Sequence, residues 1–323
     1  MRQQGEASAP RDVFEHTALV YGSDQAFMDV ALPFVERGMQ ADEPTLVAVQ
    51  ARNVESLRSV LGGEPEGVTL VPVEQWYETS ARTRDKFARW AIERTASGRA
   101  RLIGEPPWAV GNEAQVRDWA RYESVINVAF DGMPISLLCP YDSRELPPEI
   151  VEHAHRTHPV IAEGDRALAS EAYEDPRDFC RRLDSLVERP VGEPSKALDF
   201  NLAGLRGVRR LVSSAAVASG LSGPRSEEIA LAVNEIASNA VIHGRPPATL
   251  RIWHGDGELI CEVTDAGKGI SDVLAGQLTP SPEDIGGRGI WLARLLCDAV
   301  EIRNGVGCAV SIHAATPELA LVG

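Results

Sequence analysis

The sequence predicts two folded segments of different class in series, an α/β layer over residues 14–161 and an α+β sandwich over residues 196–314. Three observations carry this. Upstream, short apolar runs alternate with helix-like stretches, the pattern of strands joined through helices into a largely parallel sheet. Downstream, helical stretches come first and paired strand-like runs follow across tight-turn residues, which suits helices laid on an antiparallel sheet. Between the two lies a charged segment carrying Pro176, Pro190 and Pro194. The length, 323 residues, also exceeds that of one average domain.

The elements follow in order. Residues 1–13 begin MRQQGEASAPRD, polar and without an apolar core, so they are expected to be a disordered tail and not a secretion signal. TALVYG, PTLVAVQ, VTLVPV and PISLLCP are expected to be buried strands, with AFMDVALPFVERGMQ and NVESLRSVLGG as helices between them. Residues 162–195 are expected to be a linker, with one helix in DFCRRLDSLVERP. From Lys196, LAGLRGVRRLVSSAAVASGL has helical spacing and stops at Gly220. A second helix is expected from Ser226 to Gly244, its acidic first turn matching the positive end of the helix dipole. TLRIWHG and ELICEVTD are a strand pair turned at Gly255, Asp256 and Gly257. A glycine-rich loop, the helix GIWLARLLCDAV and the strands VEIRN and CAVSIHA complete the segment, and 315–323 form a second tail.

Composition narrows the function. No stretch approaches the roughly 20 apolar residues of a membrane span, so a cytoplasmic location is expected, with no membrane partner. Cys139, Cys180, Cys261, Cys297 and Cys308 are odd in number, widely spaced and mostly inside apolar runs, with no CxxC pair, which points to buried, inert thiols and away from a zinc site or a disulfide framework. The net charge is −15. Residues 1–195 hold 33 acidic and 21 basic side chains and residues 196–314 hold 13 and 11. Such a surface repels phosphate backbones, so no direct nucleic-acid binding is expected. Control of transcription would run through another protein.

Three motifs carry chemistry. In NEIASNAVIHG, Glu235 and Asn239 are four apart and share a helix face. An amide oxygen suits Mg²⁺ and a carboxylate beside it can take a proton from a hydroxyl. In DAGKGI, Asp265 ends a strand and can accept a hydrogen bond from an exocyclic amine such as that of adenine, while Gly267 and Gly269 allow a close turn. In GGRGIWL, glycines run into a helix whose first N–H groups suit phosphate, with Arg288 as a charged fork. Each alone reads first as a solvated helix face, a glycine turn or a capped loop, and only their combination points to a nucleotide site.

In that order the three resemble the signature of the GHKL ATPases, which have the Bergerat α+β sandwich. The runs EIALAVNEIASNAVIHG and GGRGIWLARLLCDAVEIR are similar to those of the anti-sigma-factor serine kinases of that superfamily. The resemblance implies ATP and Mg²⁺ as cofactors, with Asn239 on the metal and Asp265 on adenine. Gly267 and Gly269 would line the nucleotide, Gly287, Arg288 and Gly289 would meet the phosphates, and His243 would brace the pocket. Glu235 matches the family's general base. The implied substrate is a serine or threonine of a STAS anti-anti-sigma protein, and the other implied partners are a sigma factor and a second copy of the chain. Where the family often has Gly-Thr in the last strand, this chain has Gly307-Cys308. The alternative is an anti-sigma protein or adaptor that holds ATP and acts by contact alone.

A histidine kinase is disfavoured, because no histidine lies between Ala167 and Gly220, where a phospho-accepting hairpin would stand. His153, His155 and His158 are spaced so that all three do not share one helix face. Residues 14–161 contain no P-loop. FEHTALVYGSD, IGEPPWAV, RYESVINVAF and LLCPYDSRELPPEI resemble the MEDS sensory domain, which implies a sensor for a small molecule. His16, Tyr21, Glu105, Trp108, Tyr122, Glu123, Cys139 and Tyr141 match its recurring positions, either as a ligand pocket or as a hydrogen-bonded core.

Overall fold

The computed structural model describes residues 13–94, 98–108, 112–164, 166–281, 283 and 287–317. Nearly all of the expected N-terminal tail, most of the C-terminal one and Gly286 of the glycine loop lie outside the described residues. The chain divides into two compact units. One is drawn from residues up to 77, 84–107 and 126–174, the other from 78–83, 108–125 and 175 onwards. Among the described residues no helix is long and apolar enough to cross a membrane.

The first unit is built on β1 (Glu15–Tyr21), β2 (Thr45–Val49), β3 (Val68–Pro72), β4 (Ala100–Gly104), β5 (Ile135–Asp142), β6 (Val160–Glu163) and β7 (Arg166–Ala169). Their spatial order is β3-β2-β4-β5-β1-β6-β7, parallel throughout except for the antiparallel edge strand β7. Central strands covered on both faces need continuous apolar runs, and every residue of TLVAV in β2 and of ISLLCPYD in β5 is buried. Between β1 and β2 runs α1 (Asp24–Ala41). Ser23 caps it by accepting from the Ala26 N–H, and Asp42 ends it in the left-handed region at φ 55°. Helix α2 (Ala51–Leu61) ends on left-handed Gly62. Phe27, Val35, Val54 and Leu57 from these helices meet Leu19, Val47 and Ile103 in one apolar cluster. The chain goes on through α3 (Val73–Trp76), α4 (Ser80–Arg94), α5 (Glu113–Ala129) and α6 (Pro148–Thr157). Strand β4 was not expected, since ARLIG carries only two large apolar residues, and the β6–β7 hairpin occupies part of the expected linker.

The second unit holds α7 (Pro176–Ser185), β8 (Lys196–Phe200), α8 (Leu205–Ala218), α9 (Gly223–Ile242), β9 (Ala248–Gly255), β10 (Glu258–Asp265), α10 (Arg288–Leu296), β11 (Ala299–Gly305) and β12 (Gly307–Ala315). Its sheet has the order β11-β12-β10-β9-β8 with every pairing antiparallel. Alternation along each strand gives the sheet two unlike faces. Leu250, Ile252, Leu259, Cys261, Val263, Val310 and Ile312 turn to one face and pack under Val208 and Val212 of α8 and Ile229, Val233 and Ile236 of α9. Burying a side chain such as Leu250 contributes about 1.5–3 kcal/mol. Helix α9 starts three residues before the expected Ser226. Ser222 accepts from the Arg225 N–H and Pro224 fills the first turn, so the cap is serine and proline chemistry, with no acidic residue in that turn.

The opposite face is ionic. Glu258, Glu262, Glu301, Ser311 and His313 lie there, and all but the half-buried Glu258 are buried. Arg117 donates to Glu301 at 2.7 Å, Arg303 donates to Glu262 at 2.8 Å, and Asn112 donates to Glu258. His313 sits 2.9 Å from Glu258 through Nδ1 and 3.4 Å from Glu301 through Nε2. Burial pulls the His313 pKa down, but hydrogen bonds to the two carboxylates outweigh it and bring it to about 9. Burial likewise raises Glu301, and His313 and Arg117 overcome that and bring it to about 2. Asn112 and Arg117 come from residues 108–125, so this unit takes in chain from far upstream.

Candidate functional site

A cleft of about 250 Å³ opens in the second unit between the C-terminal half of α9, the start of α10 and the ends of β10 and β12. Asn239, His243, Asp265, Gly269 and Gly287 line it, together with Lys268, Ile270, Ile290 and Cys308. Five of the nine residues singled out from the sequence thus share one cavity. Gly267, Glu235, Arg288 and Gly289 lie at its edge or beyond.

Asp265 is the last residue of β10, placed there because ELICEV alternates apolar residues into the core up to that point. Its Oδ1 accepts from the Gly267 N–H at 2.6 Å. A Cβ on Gly244 would overlap this carboxylate, and one on Gly267 would stand 2.6 Å from it and 2.8 Å from the Gly244 Cα. The backbone at the end of α9 and the loop after β10 therefore close directly over Asp265, at a distance only glycine allows. Beyond it the loop is pinned by Asn304 of β11, which accepts from the Ile270 N–H at 2.9 Å and donates to its carbonyl at 2.8 Å.

Glu235 and Asn239 project from one face of α9 toward the first turn of α10. A Cβ on Gly289 would lie 3.0 Å from Asn239 Nδ2 and 3.4 Å from Glu235 Oε2. The carboxylate and the amide therefore meet the backbone at the helix N-terminus, where N–H groups lack intrahelical partners. Gly287 is the N-cap, left-handed at φ 76°. Arg288 is exposed and donates to the Ser281 carbonyl at 3.5 Å, along the loop. His243 caps α9 and is exposed at the rim.

Cys308 pairs with Asp265 across β10 and β12 and lines the same cleft. Burial and the nearby Asp265 charge push its thiol up to about 11, so it stays protonated at neutral pH. Among the described residues all five cysteines are buried thiols outside any disulfide, as expected. Gly244, Asn304 and Lys268 were not singled out from the sequence. The dipeptide His243-Gly244 at a helix end was the available signal for the first, while Asn304 is brought to the loop only by the fold.

Helices on one face of an antiparallel sheet, with a glycine-bounded cleft at the strand ends, form an α+β sandwich of the histidine-kinase-like type. Residues 198–313 match the family model described as histidine kinase-like ATPase domain, and residues 15–159 match the methanogen/methylotroph, DcmR sensory domain, MEDS. The chain is a MEDS sensory domain followed by a histidine kinase-like ATPase domain. No curated protein matches it. Similar solved structures include the RsbU and RsbW domains of Rv1364c from Mycobacterium tuberculosis, at 19% identity and a TM-score of 0.29, covering 44% of this chain and 42% of that one. The chain thus spans under half the length of that protein. The histidine kinase domain of the Erythrobacter litoralis EL346 blue-light activated histidine kinase aligns at 19% identity and 0.26, covering 45% and 83%. The mycobacterial sensor histidine kinase MprB aligns at 15% and 0.26, covering 38% and 97%.

In the first unit and the segments joined to the second, all eight positions that resemble the sensory family are buried. Tyr21 and Glu105 form one hydrogen-bonded group. Asn53 donates to the Tyr21 hydroxyl at 3.1 Å, Tyr21 donates to Glu105 at 3.4 Å, and the Gln50 N–H and side chain donate to Glu105 at 3.0 and 2.9 Å. Burial raises the Glu105 pKa above the usual carboxylate range, with those hydrogen bonds opposing it.

Proposed function

We propose that the second unit binds Mg-ATP and transfers its terminal phosphoryl group to a serine or threonine of a STAS anti-anti-sigma partner. A sigma factor is the competing partner, and the sensory domain sets the balance between them in response to a small molecule. The observation that carries this reading is the meeting of Glu235, Asn239 and the Gly289 backbone at the start of α10.

The residues present fit the nucleotide. Asp265 lines the cleft as an acceptor for an exocyclic amine, held in place by the close approach of Gly244 and Gly267, and Ile270 and Ile290 give the cleft apolar walls. Asn239 would hold Mg²⁺ through its amide oxygen, with Gly287 and Gly289 offering backbone N–H groups to phosphate. ATP supplies the phosphoryl group when bound. Glu235, four residues before Asn239 on the same face, takes the proton of the incoming hydroxyl. Such transfer rests on positioning and charge stabilisation.

A second reading is favoured by Cys308: a thiol stands where a hydroxyl donor is frequent in the resembled family, which suits a protein that holds ATP weakly and acts by contact. Calorimetry with Mg-ATP on the full chain separates these. Micromolar binding by the wild type, weakened 10- to 100-fold in Asp265→Ala by loss of a hydrogen bond to a charged group, is expected. Absence of binding by the wild type would remove the kinase reading.

A further inference from the structure

A second polar cluster lies in the first unit, on the sheet face opposite the apolar contacts of α1 and α2. Strands β1 and β5 are parallel neighbours with Ala18 opposite Cys139, so His16, two residues before Ala18, shares a face with Cys139. His16 Nε2 is 3.4 Å from Cys139 Sγ. His158, the C-cap of α6, brings its ring centroid to 3.9 Å from that of His16. Ligand atoms of the three residues all lie within 4.8 Å of one another. Exposures are 2% for His16, 2% for Cys139 and 0% for His158.

The surroundings orient both rings in the same sense. His158 Nδ1 lies 2.9 Å from the Ala154 carbonyl, which can only accept, so Nδ1 carries the proton. His16 Nδ1 lies 3.1 Å from Asn127 Oδ1. That amide is itself oriented, because Asn127 Nδ2 donates to the Thr157 carbonyl at 2.8 Å. With both protons on Nδ1, the lone pair of each imidazole is on Nε2. A backbone carbonyl or an amide oxygen on the far nitrogen is the usual support of a metal-bound histidine. Phe14 stacks on His16 at 5.5 Å and Tyr141 meets His158 edge-on at 5.6 Å, giving the cluster aromatic walls.

We propose that His16, Cys139 and His158 bind a single divalent ion of borderline softness, with Zn²⁺ the best fit. Bond lengths of about 2.0–2.1 Å to nitrogen and 2.3 Å to sulfur at a tetrahedral angle put nitrogen and sulfur about 3.5 Å apart, close to the separation found here. Two imidazoles and a thiolate favour Zn²⁺ over Mg²⁺ or Ca²⁺, which take oxygen. On binding, the Cys139 S–H bond breaks, its proton goes to water and the sulfur keeps the electron pair for the metal.

Co²⁺ is the probe. The untagged full chain, reduced, stripped with chelator and dialysed, is titrated with Co²⁺ in the absence of nucleotide. One equivalent is expected to give a near-ultraviolet thiolate-to-cobalt band and visible bands of tetrahedral intensity, both removed by Zn²⁺. Cys139→Ser is expected to lose the near-ultraviolet band, and Asn127→Ala to weaken binding about 10–100-fold as a support residue. No stoichiometric uptake by the wild type would overturn the proposal and leave a thiol–imidazole core. Retention of the band in Cys139→Ser would do the same by placing the metal elsewhere. X-ray absorption on the zinc-loaded wild type needs no variant: two imidazoles and one sulfur are expected, and a shell without sulfur refutes the site.

Discussion

The two sheets of this protein bury polar groups in opposite ways. In the first unit the parallel strands are covered on both sides, and polar residues in their middle are met by uncharged or hydrogen-bonded neighbours: His16 by Asn127, and Tyr21 by Asn53 and Glu105. In the second unit the antiparallel sheet keeps one face wholly apolar and loads the other with carboxylates, matched by Arg117, Arg303 and His313. The parallel sheet keeps the buried strand-end carboxylate of β5, Asp142, at the edge of the layer, where Arg52 and Arg144 each reach it at 2.7 Å. A one-sided sheet tolerates charge on its far face, so long as each charge meets a partner there. The candidate nucleotide site stands at the strand ends of the second sheet, on its apolar side, where Val263, Cys308 and Val310 line the cleft.

Four experiments break or sharpen this contrast. The largest effect is expected at the cleft. Glu235→Ala should slow phosphate transfer to a STAS partner by about 10²- to 10⁴-fold, the usual contribution of a general base, while Mg-ATP binding by calorimetry persists. Equal loss of both would make Glu235 a binding residue. Next come the dry faces: Leu250→Ala in the second unit and Leu57→Ala in the first should each cost about 2–5 kcal/mol in denaturant unfolding. Two transitions, each displaced by only one of the substitutions, would show that the units unfold separately.

The ionic face should reveal itself through pH. His313 has a folded pKa of about 9, above the ordinary histidine value, so its contribution is full below about 6.5 and disappears as pH rises through 9. Glu301, at about 2 in the folded state, contributes fully above about 4.5 and loses that as pH falls through 2. The network is therefore strongest between about pH 4.5 and 6.5. The gap between wild type and His313→Gln in chemical unfolding should shrink on going from about pH 6 to pH 10, by on the order of 3 kcal/mol at most. A gap that does not change would mean His313 is neutral in the fold. The smallest effect is at Cys308. Cys308→Thr should tighten nucleotide binding by about 1 kcal/mol, near fivefold, if a hydroxyl gains one hydrogen bond there.

Much of this was legible in the sequence, because local chemistry decided it. The run NEIASNAVIHG placed Glu235 and Asn239 on one face by helical period alone, and ELICEVTD ended on Asp265 because its alternation ended there. The parallel sheet was legible from its continuous apolar strands, apart from β4, whose ARLIG depends on burial supplied by neighbours. What the sequence could not disclose were partners brought together only by folding. Glu301 reads as an ordinary polar position in a half-buried strand, yet its cation, Arg117, is 184 residues upstream. His158 looked like one of three histidines that do not share a helix face. Its place beside His16 comes from the end of α6 meeting β1, which no spacing encodes.

That remote origin of Arg117 has a consequence for where the molecule can be cut. The family match begins at residue 198, and a boundary there invites expression of the ATPase segment by itself. Such a fragment would keep the cleft and the entire apolar face. It would lack Asn112 and Arg117, leaving Glu258 and Glu301 with His313 as their remaining neighbour across the ionic face. Proton uptake by these carboxylates would then become the easiest way to relieve the face, turning a site of structural strength into one of acid dependence. The upstream chain thus serves as a counter-charge built into the second unit, and biochemistry on this protein is best done with it left attached.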